Sequence, residues 1–121
     1  MALRSGEKLW SMMVPNVEEL VSSEHPYRKI LALLNWPELS KPLRKKYSSL
    51  GRRGYAVEQG LKCLFLQFLE DRSDRQMERF LQENIAAKYF CNFSLIEQTP
   101  DRSYFSKFRE RIGTHQVSLI F

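Results

Sequence analysis

At 121 residues, 43% of them hydrophobic and with only five glycines and five prolines, the chain fits one domain with a modest core, which excludes a wholly disordered chain and argues against a loop-rich β fold. A formal net charge of +5 and a pI near 9.4 make an anionic partner the natural expectation. The two cysteines, Cys63 and Cys91, are too few for a disulfide framework, and no stretch approaches the roughly 18 consecutive apolar residues of a membrane span.

Residues 1–15 show little pattern and are expected to be flexible. The first thirteen hold Arg4, Glu7 and Lys8 and lack the continuous apolar run of a signal peptide. With cysteines read as small buried hydrophobes, the expected setting is reducing and cytoplasmic. Asn16 with Glu19 fits a capping box, with Val17, Leu20 and Val21 as a short apolar face. Pro26 sits at a first helical position. Tyr27, Ile30, Leu31 and Leu34 follow at i, i+3, i+4 and i+7, the spacing of a helix that buries one face. Trp36-Pro37 breaks that helix. Pro42 falls inside the next piece, Glu38 to Tyr47, so one or two irregular turns are expected there.

Between Leu39 and Val57 lie six basic residues, Lys41, Arg44, Lys45, Lys46, Arg52 and Arg53, and no acid, so this segment carries +6 and the rest of the chain −1. It reads either as a solvated linker or as a phosphate-contacting strip. Ser48 to Gly54 is the linker proper. The longest apolar helix comes next, from Ala56 to Asp71. Its stripe is Val57, Leu61, Leu64, Phe65, Phe68 and Leu69, and Cys63 and Leu66 carry apolar character further round. Gly60 inside it costs about 1 kcal/mol relative to Ala and marks a close helix–helix approach.

Ser73 with Gln76 forms a second capping box, opening a helix to about Asn84 that buries Met77, Phe80 and Leu81. Ile85 to Phe93 is a third helix of this half, with Ile85, Ala86, Tyr89, Phe90 and Phe93 inward. After a loop over residues 94–98, Thr99 as cap, Pro100 at the first position and Asp101 in the first turn start a fourth helix, which ends at Gly113. Phe105, Phe108 and Ile112 share one face of it. Ser103, Ser106, Lys107 and Glu110 lie opposite, Arg102 and Arg111 on the flanks, and Arg109 nearer the apolar side. Thr114 to Phe121 reads as the start of a further apolar helix cut off in mid-pattern.

No catalytic constellation emerges. His25 and His115 lack metal-ligand spacing and read as turn or cap residues. There is no Gly-rich phosphate loop, and no Ser or Cys has a recognisable base in a known motif. No cofactor or metal is expected. The positive pattern is helix, turn, helix, loop, basic helix over residues 73–112. In helix-turn-helix proteins two helices brace a third that enters the major groove. Arg102, Ser103, Ser106, Lys107 and Arg111 are the candidate DNA-facing residues, and Lys45, Lys46, Arg52 and Arg53 of the strip the candidate phosphate contacts. The connection before the fourth helix is about six residues, longer than the 3–4 of the motif. Spacing alone also permits an amphipathic helix with a solvated basic face.

Several stretches together resemble the N-terminal domain of bacterial insertion-sequence transposases, the InsH-type group in particular. They are His25-Pro26-Tyr27-Arg28-Lys29-Ile30, Gly54-Tyr55 leading into Leu61-Lys62-Cys63-Leu64-Phe65-Leu66, Ser73-Asp74-Arg75-Gln76-Met77-Glu78, Asn84-Ile85-Ala86, and Pro100-Asp101-Arg102-Ser103-Tyr104-Phe105-Ser106-Lys107-Phe108-Arg109. The resemblance covers roughly residues 14–121. It implies a helical domain that recognises terminal inverted repeats and that, in the family, precedes an RNase H-like domain whose Asp-Asp-Glu triad holds two metal ions. None of the carboxylates here matches that triad.

The sequence therefore leads to an all-α, compact multi-helix domain over residues 16–113 with a helix-turn-helix-like C-terminal half. Its expected partner is double-stranded DNA at element ends, without enzymatic activity of its own and with no membrane association. The alternative is a truncated interaction module that pairs with itself or with full-length transposase through Leu119-Ile120-Phe121 or other exposed apolar surface. A product with no present role is a third reading.

Overall fold

A computed structural model of the chain describes residues 16–44 and 55–113. The readings of residues 1–15 as flexible, of Ser48 to Gly54 as a linker and of Thr114 to Phe121 as a helix start lie outside the described residues. Among the described residues all regular structure is helical. The helices are α1 (Val17–Leu20), α2 (Pro26–Leu33), α3 (Trp36–Ser40) followed by a 3₁₀ turn (Lys41–Leu43), α4 (Val57–Leu69), α5 (Asp74–Glu83), α6 (Ile85–Phe90) and α7 (Arg102–Ile112).

Local chemistry sets most of the helix starts. Asn16 caps α1, its Oδ1 accepting from the Glu18 N–H at 3.0 Å. His25 caps α2 through Nδ1, which accepts from the Tyr27 N–H at 3.0 Å, and Pro26 follows at the first position, where the missing N–H costs nothing. Ser73 and Gln76 close the expected reciprocal box on α5: Gln76 N–H to Ser73 Oγ at 3.2 Å and Ser73 N–H to Gln76 Oε1 at 2.9 Å. Asn84 ends α5 and caps α6 through Oδ1.

Two helix ends use a left-handed residue other than glycine. Asp71 (φ 51°) follows α4 and Asn92 (φ 64°) follows α6. In each case two backbone bonds close the turn, Arg72 N–H to Gln67 O with Asp71 N–H to Phe68 O, and Phe93 N–H to Lys88 O with Asn92 N–H to Tyr89 O. This is the Schellman arrangement, and Asn and Asp are the side chains that best tolerate its left-handed position.

α4 is the central element. Val57, Gly60, Leu61, Cys63, Leu64 and Leu66 are buried, and α3, α6 and α7 pack around them. Phe90 of α6 joins the two halves. Its ring meets Tyr27 at 5.3 Å, Trp36 at 5.9 Å and Phe65 at 6.0 Å between centroids. Trp36 is buried and its indole N–H donates to Leu31 O at 3.1 Å. The Tyr27 hydroxyl donates to Glu70 Oε1 at 2.8 Å; burial first, and that bond second, push its pKa up. Arg28 ties α1 to α2 and α6. Its guanidinium donates to the carbonyls of Glu18, Val21 and Ser22 and to the Tyr89 hydroxyl.

Several elements differ from the sequence reading: Asn16 caps α1 through the Glu18 N–H rather than in a box with Glu19, and Trp36 opens α3 directly. On α4 the outer edge of the stripe is not covered: Phe68 is 64% and Leu69 47% exposed, while Cys63 and Leu66 on the other side are fully buried. On α6 the inward residues are Ala87 and Phe90, continuing into Cys91 and Phe93, whereas Ile85 is exposed and Ala86 and Tyr89 only half-buried. Lys88 is buried on the same helix, and desolvation pushes its amine down. α6 also stops at Phe90, because Asn92 turns left-handed before Phe93 can be helical. The cap of α7 is Asp101, not Thr99. Thr99 and Pro100 are buried in the incoming loop, so the helix begins only after they have packed.

Candidate nucleic-acid interface

α7 is held from three directions. Its inner residues Phe105, Phe108 and Ile112 are buried against α4 and α5. The approach to α4 is close because residue 60 has no side chain. A Cβ there would overlap Phe108 Cε2 and stand 2.6 Å from Tyr104 Oη, so the spacing inferred from Gly60 is real.

The second attachment is ionic. Arg109 donates from Nη1 and Nη2 to the two carboxylate oxygens of Asp74, both at 2.8 Å. Gln67 completes the cluster, donating from Nε2 to Asp74 Oδ1 at 2.7 Å and lying 3.3 Å from Arg109 Nη1 through Oε1. One two-pronged pair thus locks α7 to the first turn of α5 and the last turns of α4. The hydrogen bonds from Arg109 hold the Asp74 carboxyl below its ordinary range, and the same bonds push the guanidinium up.

The third attachment is at the start of the helix. Glu78 of α5 accepts the Arg102 backbone N–H at 2.7 Å. Asp101 accepts from the Tyr104 N–H at 3.2 Å and from the Ser103 hydroxyl at 2.6 Å; the Ser103 bond is the main cause of its lowered pKa. The loop before it is fixed by Tyr55, whose hydroxyl donates to Gln98 O at 3.0 Å and whose ring packs on Phe93 and Tyr104. Gln59 Nε2 donates to Asn92 O at 2.8 Å.

What remains outward is the expected set. Arg102, Ser103, Ser106, Lys107, Glu110 and Arg111 are all exposed on one side of α7. The Ser103 and Ser106 hydroxyls donate locally, to Asp101 and to the Ser103 carbonyl, so toward a ligand they offer acceptor lone pairs. Arg109, the fourth cation of the helix, is turned inward and neutralised. In the strip, Lys41 and Arg44 are exposed, whereas Lys45, Lys46, Arg52 and Arg53 lie outside the described residues. The strip ends two residues before Tyr55, whose ring stands 5.3 Å from Tyr104 of α7.

Sequence reasoning missed an open groove beside the start of α7. Arg72, Arg75, Arg79 and Arg102 line it together with Glu78 and Glu83. The signal was present as Arg72, Arg75 and Arg79 at helical spacing, opposite Met77 and Leu81, but nothing in the chain order joins them to Arg102. Among the described residues no three His, Cys, Asp or Glu side chains are grouped to hold a metal ion, and no helix is long and apolar enough to cross a membrane.

A family model described as Transposase domain (DUF772) matches residues 15–111. The match supports the transposase resemblance and does not single out the InsH-type group. No solved structure matches the chain.

Proposed function

The chain belongs to the transposase-domain family, and from that premise we propose that it is a double-stranded DNA-binding domain recognising the terminal inverted repeats of its element. The observation that carries this reading is the outward face of α7. It presents Arg102, Lys107 and Arg111 with Ser103 and Ser106 between them, on a helix whose other sides are fixed by Phe108, Arg109 and Glu78. A recognition helix must be immobile relative to the contacts that hold the phosphates, or the entropy of ordering it is taken from the affinity. α4 and α5 brace α7, as two helices brace the third in helix-turn-helix proteins. The strip, with Lys45, Lys46, Arg52 and Arg53, would hold phosphates. The proposed role is recognition, and no step of strand chemistry is assigned to these residues.

The test is a binding titration against a duplex from the element ends and a shuffled duplex, at low and moderate salt. The native duplex binds tighter at moderate salt, and Lys107→Ala with Arg111→Ala removes most of that preference. One good base contact is worth about 1–3 kcal/mol of discrimination. Unchanged affinity and preference in this double variant would refute the placement of the reading surface.

A second reading rests on Leu33, 79% exposed, and Phe68, 64% exposed. Side chains of this size left in water suit a chain that pairs with itself or with full-length transposase. Sedimentation of the same samples separates the two: a monomer with and without full-length transposase removes the pairing reading.

A further inference from the structure

We propose that the groove between α5 and the start of α7 holds backbone phosphates of the bound duplex through Arg72, Arg75 and Arg102, next to the α7 reading face. The inference rests on the DNA-binding reading above and adds a second contact line to it.

The charge of the groove is not cancelled by its own acids. Four guanidinia face two carboxylates. Both carboxylates are already engaged. Glu78 accepts the Arg102 backbone N–H at 2.7 Å, and Glu83 pairs with Arg79 at 3.6 Å. Arg72, Arg75 and the Arg102 side chain make no ion pair among the described residues. A cluster of like charges with too few counter-charges is unfavourable by itself, and a polyanion laid across it reduces that cost.

Arg72 carries the second observation. Its guanidinium carbon stands over the Phe80 ring, 3.8 Å from the centroid, and its Nε is buried without a hydrogen-bond partner. The ring contact holds the guanidinium at the groove wall. A guanidinium held in place there suits phosphate oxygens. A buried donor with no acceptor is rare in folded proteins, and an ordered water or an anion in the groove would satisfy it.

Position favours a DNA strand over a free anion. The groove opens along the exposed side of α5 and ends at Arg102, the first residue of α7. A duplex read by Ser106, Lys107 and Arg111 therefore carries a flanking strand toward Arg75 and Arg72. The α7 N-terminus does not take that phosphate itself, because Asp101 and Glu78 already accept its N–H groups.

Arg75→Gln tests this most directly, since Arg75 is exposed and the change leaves the core untouched. Arg72→Gln is the companion variant, used only if its melting curve matches the parent. Affinities for the native and the shuffled duplex are measured across a salt series. The expected result is weaker binding of both duplexes by the same factor, an unchanged native-to-shuffled ratio, and a salt slope flattened by about 0.9 per lost contact. An unchanged slope in Arg75→Gln overturns the groove, and a changed native-to-shuffled ratio overturns its assignment to phosphates. Lys107→Ala in the same series keeps the two readings apart. If Lys107→Ala weakens binding and Arg75→Gln does not, only the groove fails; if the parent chain binds neither duplex, the DNA reading itself fails. A sodium phosphate series at matched ionic strength displaces the duplex no better than chloride if the groove binds DNA backbone. Phosphate-specific displacement that disappears in Arg75→Gln would reassign it to a free anion.

Discussion

Gly60→Ala is the sharpest test of how α7 is seated. In a helix interior this substitution normally stabilises by about 1 kcal/mol, because glycine is the poorer helix former. Here the new methyl would overlap Phe108 Cε2 and lie 2.7 Å from Phe108 Cζ and 2.6 Å from Tyr104 Oη. Phe108 is 1% exposed, so its ring has no open space to swing into. Relief has to come from moving α7 off α4 or from an off-rotamer ring, a class of change that costs about 1–3 kcal/mol. With three atoms inside 3.0 Å the cost falls at the upper end, about 2–3 kcal/mol, and the propensity gain of about 1 kcal/mol offsets part of it, leaving a net loss of roughly 1–2 kcal/mol and a Tm lower by roughly 5–10 °C. Urea unfolding followed by far-UV circular dichroism reads it directly, as a lower midpoint with the same slope. Phe108→Leu removes two of the three atoms that clash, so the double variant loses less than the sum of the singles. A Gly60→Ala chain as stable as the parent, or more so, would show that the close approach does not exist.

Two further substitutions probe the attachments. Asp74→Asn removes the charge that Arg109 grips. A fully buried pair broken this way costs about 3–5 kcal/mol and an exposed one about 0–1; with both side chains about a third exposed, the expected loss at pH 7 is roughly 1–2 kcal/mol. The Asp74 pKa is lower folded than unfolded, so the pair contributes fully above the unfolded value of about 3.9 and is lost as pH falls through the folded one. The gap in urea midpoint between parent and variant therefore closes in acid, and a gap of equal size at pH 7 and at about pH 2 would contradict the assignment. Ser73→Ala deletes the acceptor at the start of α5 and should lower stability by about 1 kcal/mol, while Ser73→Asp, another good cap, should hold most of it. Equal melting of Ser73→Ala and parent would mean that the box contributes nothing.

What could be read from the chain was whatever is local and repeated. Phe105, Phe108 and Ile112 fix the inner face of α7 because eleven residues hold three turns of periodicity. Ser73 with Gln76 and Pro26 are equally local, as is the gap left by Gly60. α6 was not legible for the converse reason. In six residues, Ile85–Ala86–Tyr89 and Ala87–Phe90–Cys91 are equally good stripes, and only the packing of Phe90 against Tyr27, Trp36 and Phe65 selects the second. The stripe on α4 ran too far along its outer edge because periodicity ranks Phe68 and Leu69 as inward without knowing whether a neighbour reaches them. Thr99 and Asp101 both make caps, and the burial of Thr99 and Pro100 decides between them. The outward residues of α7 were visible as a helical face. The arginine groove was not, since it joins residues 72–79 to residue 102 across a fold.

The charge of α7 is distributed by its contacts rather than by its composition. Four cations and one acid lie between Arg102 and Ile112, yet Arg109 is neutralised by Asp74 and contributes little field at the surface. The first turn, where a helix usually attracts anions, is already occupied by two carboxylates, Asp101 and Glu78, so a phosphate approaching it is repelled. The positive field accordingly divides into two parts on either side of that acidic turn: Lys107 and Arg111 along the helix, and Arg72, Arg75 and Arg102 in the groove. A rigid duplex that touches both parts is fixed in orientation as well as in distance, because rotating it about either contact pulls it off the other. Glu78 then does two things at once. Its bond to the Arg102 backbone holds α7 against α5, and in the proposed complex its charge would keep phosphate off the helix end and on the arginine side chains.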